Sequence, residues 1–188
     1  MRIIAVTTPK VIAQDADIIT SLLRRGVDIV HLRKPDSNVD ECRALLRDLD
    51  KESRARIIVH DHPELYAEFL LKGIHINRNV ATLPDGYTGF KTRSCHSFDE
   101  VVKYKNDYDY IFLSPIFDSI SKVGYNSCFS DNELRRASND GIIDSRVVAL
   151  GGVTPDKVDY LKRLGFGGVA MCGAIYNVEA LDNIEYLF

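Results

Sequence analysis

Two stretches of this chain pass from a short apolar run into groups that grip anions. Ser114-Pro115-Ile116-Phe117-Asp118-Ser119-Ile120-Ser121-Lys122 runs into hydroxyls and a lysine, and Val148-Ala149-Leu150-Gly151-Gly152-Val153 into paired glycines. Hydroxyls, a fixed ammonium and a backbone free of Cβ atoms hold a phosphate well at the end of a strand. A chain that makes this change twice is expected to bind a phosphorylated small molecule. More polar residues fall at comparable points: His31, Arg33 and Lys34; His60, Asp61 and His62; His75 and Asn77; Ser94 and His96. All five histidines of the chain belong to this set. One histidine at a strand end is ordinarily satisfied by backbone or solvent, whereas five together suggest a site.

The two-residue period of a strand sharpens the choice. His31 and Arg33 share a face, and Val30 and Leu32 take the other. A guanidinium on the polar face suits a phosphate or carboxylate, and the bland alternative is a salt bridge to a neighbour such as Asp61. Asp61 alone could hold one face of a magnesium ion, which takes one or two protein carboxylates and fills its shell with water and phosphate oxygens. His60-Asp61-His62, completed by His31 or His75, has the donors for zinc, but no carboxylate cluster supports a hydrolytic metal centre. Gly151-Gly152 and Cys172-Gly173 would let backbone N–H groups approach an anion, or would simply permit tight turns. No base lies near Cys172 in sequence, so it reads as a small packed residue and not a nucleophile.

These residues need elements to position them. Apolar runs mark strands at 3–6, 28–33, 56–60, 73–77, 90–94, 109–114, 146–150 and 168–171, separated by helical spacings such as Ile18, Ile19, Leu22 and Leu23. Helix starts are marked by Ser37 with Asp40, Pro63, Ser97 with Glu100, Ser130 with Glu133, and Thr154-Pro155. The stretch 78–89, with Pro84-Asp85-Gly86, reads as a loop or degenerate helix. Eight strands alternating with helices predict a compact (β/α)8 TIM barrel with a short or degenerate fourth helix, and a doubly wound open sheet is the runner-up. At 188 residues the chain is short beside the typical barrel of about 250. No linker, repeat or low-complexity segment is seen, so residues 1–188 are expected to form one domain. In either architecture ligands sit beyond the carboxyl ends of the strands, where the polar set falls.

Composition excludes some classes. The chain has 45% hydrophobic residues, 24 basic against 27 acidic ones and a net charge of -3, so nothing favours nucleic acid as a partner. The first residues read as strand and turn, too short an apolar run for a signal peptide or membrane span, so a cytoplasmic protein with no membrane partner is expected. Cys42, Cys95, Cys128 and Cys172 are widely spaced and read as reduced thiols. Small phosphorylated substrates are the expected partners, and a homo-oligomer is compatible with the sequence.

His31-Leu32-Arg33-Lys34, Val59-His60-Asp61, Gly73-Ile74-His75, Ser94 with His96-Ser97, the run 109–117, Ser119-Ile120-Ser121-Lys122, Ala149-Leu150-Gly151-Gly152 and Gly167-Gly168-Val169-Ala170 resemble, in order and spacing, the thiamine phosphate synthase and thiazole tautomerase family. The resemblance covers nearly the whole length. It implies a (β/α)8 barrel that joins hydroxymethylpyrimidine diphosphate to hydroxyethylthiazole phosphate, by a dissociative reaction in which magnesium and cations stabilise the departing diphosphate. By position it implies Arg33 and Lys122 on the diphosphate with Ser94 beside it, Asp61 on Mg2+, and Ser119 and Ser121 in the loop that closes over the ligands. Gly151, Gly152, Cys172 and Gly173 would bind the thiazole phosphate through backbone N–H groups. The chain departs from the pattern where His31 and His60 replace a glutamine and an asparagine. The family's next lysine falls on Pro35, with Lys34 adjacent, and its second magnesium aspartate falls near Val80. Two alternatives accompany the synthase reading. A tautomerase would use His31 or His60 as its base, since Pro115 stands where the tautomerases have histidine, and a noncatalytic protein would only bind the thiazole phosphate or thiamine phosphate.

Overall fold

In the computed structural model of the chain, residues 1–77, 80, 82–118 and 128–176 are described. Eight parallel strands follow one another around a closed barrel: β1 (Arg2–Val6), β2 (Ile29–Leu32), β3 (Ile57–Val59), β4 (Gly73–Ile76), β5 (Phe90–Cys95), β6 (Tyr110–Leu113), β7 (Val147–Leu150) and β8 (Gly168–Met171). Closure decides against the open sheet. Arg2, Ile3, Ile4 and Ala5 of β1 pair in register with Gly168, Val169, Ala170 and Met171 of β8.

Helices α1 (Asp15–Arg24), α2 (Val39–Asp48), α3 (Lys51–Arg54), α4 (Leu65–Phe69), α5 (Phe98–Tyr104), α6 (Asp131–Asn139) and α7 (Val158–Arg163) lie outside the barrel. Their starts follow local hydrogen-bond chemistry. Asn38, and not Ser37, caps α2: its side chain accepts from the N–H groups of Asp40 and Glu41, while Glu41 accepts from the Asn38 N–H. Ser37 instead accepts from the backbone N–H of Val11, tying two loops together. Ser130 and Glu133 form the expected reciprocal box on α6. Ser97 caps α5, but Glu100 reaches back to the N–H of His96. Thr154-Pro155 opens a 3-10 turn, Pro155–Lys157, that leads into α7.

Among the described residues no helix separates β4 from β5. Tyr87 takes its place as a brace: its hydroxyl accepts from the N–H of Ile74 and donates to the carbonyl of Phe90, and its ring packs on Tyr66. The core has two layers. Ile18, Ile19, Leu22, Leu45, Leu46, Val101 and Leu161 from the helices meet the outward residues of the strands, such as Val30, Leu32, Ile57 and Val59. Inside the barrel, Ile4, Val6, Ile29, Ile58, Tyr110, Phe112, Val148 and Ala170 fill the centre. Burying each such aliphatic chain contributes roughly 1.5–3 kcal/mol, which fixes the strand register and so the direction of every side chain at the mouth. Among the described residues no helix is long and apolar enough to cross a membrane.

Candidate active site

The strand period places polar side chains inside one half of the barrel. His31 follows Ile29 on the inner face of β2, His60 follows Ile58 after β3, His75 lies on β4, and Thr92 and Ser94 lie on β5. His31, His60, His75 and Thr92 are buried and joined by hydrogen bonds. His31 Nδ1 lies 2.7 Å from His60 Nε2, and His31 Nε2 meets the hydroxyl of Tyr110. His75 Nδ1 lies 2.8 Å from Thr92 Oγ1, and its Nε2 lies 3.1 Å from Ser94 Oγ. The rings of His60 and His75 stack at 4.0 Å. Burial holds all three imidazoles neutral: it pushes His75 down to about 3, and His31 and His60 well below the usual histidine range. For His75 the Arg33 guanidinium adds to the effect, and for His60 it contributes after His75 and His31.

Three neutral imidazoles whose ligand atoms lie within 4.8 Å of one another suggest a transition-metal site. The rings argue otherwise. An ion must lie near the plane of each imidazole it binds, and His60 and His75 are only 13° from parallel, so their planes run side by side and do not converge. His60 Nε2 and both ring nitrogens of His75 are also engaged, with His31, Thr92 and Ser94. Asp61 is the better cation ligand. Its Oδ2 is sealed from solvent and has no hydrogen-bond partner, the condition in which a hard cation is most welcome. Beyond β4, Asn77 folds onto the backbone, donating to the carbonyl of His60 and accepting from the N–H of Val80. The segment thus supplies no second carboxylate at Val80.

Arg33 stands at the carboxyl end of β2, half-buried, and its guanidinium has no hydrogen-bond or ion-pair partner among the described residues. The salt bridge to Asp61 weighed from the sequence is not formed. Lys34 departs from its expected place among the anion ligands. The next residue along an extended backbone points to the other face, and there its Nζ donates to Asp15 Oδ2 at 2.7 Å and to the carbonyl of Lys10 at 2.9 Å. Tyr176 donates to the other oxygen of Asp15, so Lys34 belongs to a buried structural ion pair. Burial lowers the pKa of Lys34 and Asp15 opposes that shift. A cleft of about 260 Å³ runs beside this rim, lined by Lys34, Pro35, Ser37, Asp61, His62 and Val80. His96 is exposed and bonds the carbonyl of Ser114, outside the histidine cluster. A second hollow, lined by Arg2, Ser145 and Lys162, opens at the amino ends of the strands, away from these residues.

The opposite rim is built from backbone. Gly151 and Gly152 take φ of +92° and +60°, and a Cβ on Gly152 would come within 2.3 Å of the Asp118 carbonyl. The carbonyls of Leu150 and Gly151 accept from the N–H groups of Ile116 and Phe117, pinning this turn to the segment after β6. The N–H groups of Gly151, Gly152 and Val153 make no hydrogen bond among the described residues, so the turn keeps its donors open. Lys157, which the sequence reading missed, bonds the carbonyl of Gly152 and lies over the Phe117 ring. After β8, Cys172 and Gly173 begin a turn in which the Cys172 carbonyl accepts from Ile175 and Tyr176. Ser119, Ser121 and Lys122 lie outside the described residues.

The family model for thiamine monophosphate synthase matches residues 3–175. The chain belongs to that family. It is therefore an enzyme, a transferase of thiamine biosynthesis. The crystal structure of a thiamine phosphate pyrophosphorylase from Bacteroides thetaiotaomicron superposes with a TM-score of 0.89 at 36% identity, over 100% of this chain and 95% of that one. A thiamine-phosphate synthase from the same organism is 25% identical over 175 residues, 84% of this chain and 81% of its own. One from Levilactobacillus brevis is 29% identical over 182 residues, covering 88% and 82%. Tyr110 and Thr92, like Asp15, went unnoticed in the sequence. Tyr110 opens an unbroken apolar run, Tyr-Ile-Phe-Leu, and only its inward parity with Phe112 signals that its hydroxyl enters the barrel.

Proposed function

We propose that this member of the thiamine monophosphate synthase family joins hydroxymethylpyrimidine diphosphate to hydroxyethylthiazole phosphate, giving thiamine phosphate and diphosphate. The observation that carries the reading is the nearness, after β2 and β3, of an Arg33 guanidinium and a buried Asp61 oxygen that both lack a partner among the described residues. The sealed Asp61 oxygen is costly alone in the free protein, and a cation there with an anion on the half-buried Arg33 answers both groups.

In this reading Arg33, with Lys122, holds the diphosphate, and Ser94 donates its hydroxyl to it. His75 Nε2 beside Ser94 Oγ steers that hydroxyl. Asp61 would hold Mg2+, which when bound neutralises charge growing on the departing diphosphate. The bond between the pyrimidine methylene carbon and the diphosphate oxygen breaks with its electron pair leaving on oxygen. The thiazole nitrogen then gives its lone pair to the methylene carbon. Fixed cations lower this barrier because they stabilise charge that grows only as the bond breaks. On the other rim, the free N–H groups of Gly151 and Gly152, with the turn at Cys172 and Gly173, take the thiazole phosphate. Ser119 and Ser121, outside the described residues, complete the substrate-binding set in this reading.

Incubating the purified protein with both substrates, with and without magnesium, tests the reading. Magnesium-dependent diphosphate release matched by thiamine phosphate is expected. Absence of turnover with both substrates and magnesium present would overturn it.

A further inference from the structure

We infer that Tyr110 and His31 are positioning residues that lock His60 into the tautomer carrying its proton on Nδ1, so that His60 offers an N–H to an oxygen of the phosphorylated substrate. The ligand in this inference rests on the proposed function, whereas the tautomer rests on the free protein alone.

The hydrogen bonds run from Tyr110 inside the barrel through His31 to His60 at the carboxyl end of β3. Tyr110 is fully buried, and among the described residues its hydroxyl meets one partner, His31 Nε2. A phenol carries a single donor, and leaving that donor unmatched in a dry interior is costly. The hydroxyl therefore donates, and His31 Nε2 accepts. A neutral imidazole has one proton, so the proton of His31 sits on Nδ1, which donates across 2.7 Å to His60 Nε2. His60 Nε2 is now an acceptor, and its own proton is left on Nδ1. The reverse direction would make His31 Nε2 the donor and strand the Tyr110 proton.

His60 Nδ1 has no partner among the described residues, yet it is not one of the buried polar atoms sealed without a partner. It therefore opens toward the mouth. The groups that face His60 are the neutral ring of His75 stacked on it, His31 behind it and the Arg33 cation close enough to disfavour its protonation. A donor set beside a guanidinium suits an anionic oxygen, since a ligand that brought its own N–H would meet two donors and no acceptor.

Long-range proton–nitrogen correlation spectra of protein labelled with 15N-histidine read the tautomers directly. In the wild type both His31 and His60 are expected as Nδ1–H. Tyr110→Phe keeps the ring and removes the donor, so His60 should shift toward Nε2–H, and inorganic diphosphate with magnesium should bind about fivefold more weakly. A purely structural role for Tyr110 would leave the His60 tautomer unchanged, and that result overturns the inference. His60 found as Nε2–H in the wild type also overturns it, and this spectrum decides the matter if Tyr110→Phe does not fold. Diphosphate binding with Nε2–H on His60 would sink the relay and spare the proposed function. Expected tautomers in a protein that binds no diphosphate would overturn the ligand assignment and the function with it.

Discussion

The two halves of the barrel interior are built to different rules. Strands β2 to β5 send His31, His60, His75, Thr92 and Ser94 inward, and these are joined in hydrogen-bonded chains. Strands β7, β8 and β1 send in Val148, Ala170, Ile4 and Val6, with no polar atom among them. The apolar half ends in turns where the main chain itself supplies the donors, as at Gly151 and Gly152. The polar half works with side chains, whose chemistry is set by burial, and the apolar half with backbone, whose chemistry is set by φ. A substitution should therefore act through lost functional groups on one side and through added atoms on the other.

The largest test of that contrast is removal of charge from the polar side. Arg33→Ala and Asp61→Ala should each lower kcat/KM for diphosphate release by about 10²–10³-fold while leaving the thermal midpoint nearly unchanged, since neither group has a partner among the described residues. A loss of fold in step with activity would dissolve the distinction. On the other side Gly152→Ala adds one carbon where a Cβ meets the Asp118 carbonyl at 2.3 Å and φ is +60°. It should cost about 1–3 kcal/mol in denaturant unfolding and raise KM for the thiazole phosphate more than it lowers kcat.

A smaller effect follows from the buried imidazoles. His75 titrates near 6.5 when unfolded and is held to about 3 in the fold, mainly by burial. Above the unfolded value neither state binds the proton, and stability has no slope from this group. As pH falls from there toward the folded value only the unfolded chain takes it up, so stability drops by about 1.4 kcal/mol per pH unit for each such histidine. Urea midpoints measured from pH 7 to pH 4 should show this decline, and it should be shallower in His75→Gln. The smallest effect is expected at Cys172→Ala, which deletes a side chain where the backbone carries the function. Turnover should stay within about twofold of wild type, and a large loss would give the thiol a chemical role.

Much of the architecture could be read from the chain because it depends on local pattern. The eight apolar runs, the inward parity of His31 with Arg33 and the reciprocal cap of Ser130 with Glu133 all follow from periods of a few residues. What depended on distant partners was not legible. Lys34 looks like a phosphate ligand until Asp15 and Tyr176 are seen around it. Asn38 and Ser37 are both capable caps, and only the closeness of Val11 assigns Ser37 elsewhere. The phenol of Tyr110 is hidden in an apolar run, and its meaning arises only when β6 lies across from β2. At the site, Arg33 and Asp61 stand at the strand ends where their sequence positions put them. That neither has a partner among the described residues is a property of the folded state alone.

The Asp15–Lys34 pair completed by the Tyr176 hydroxyl has a consequence for biosynthesis of the molecule itself. The first strand must wait for the eighth to gain its second neighbour, and Asp15 at the start of α1 must wait for an aromatic ring that is translated later still. A nascent chain therefore holds an incomplete ring with a charged, half-matched seam until β8 and Tyr176 have appeared. A chain that stopped short of Tyr176 would leave Asp15 Oδ1 without its proton donor.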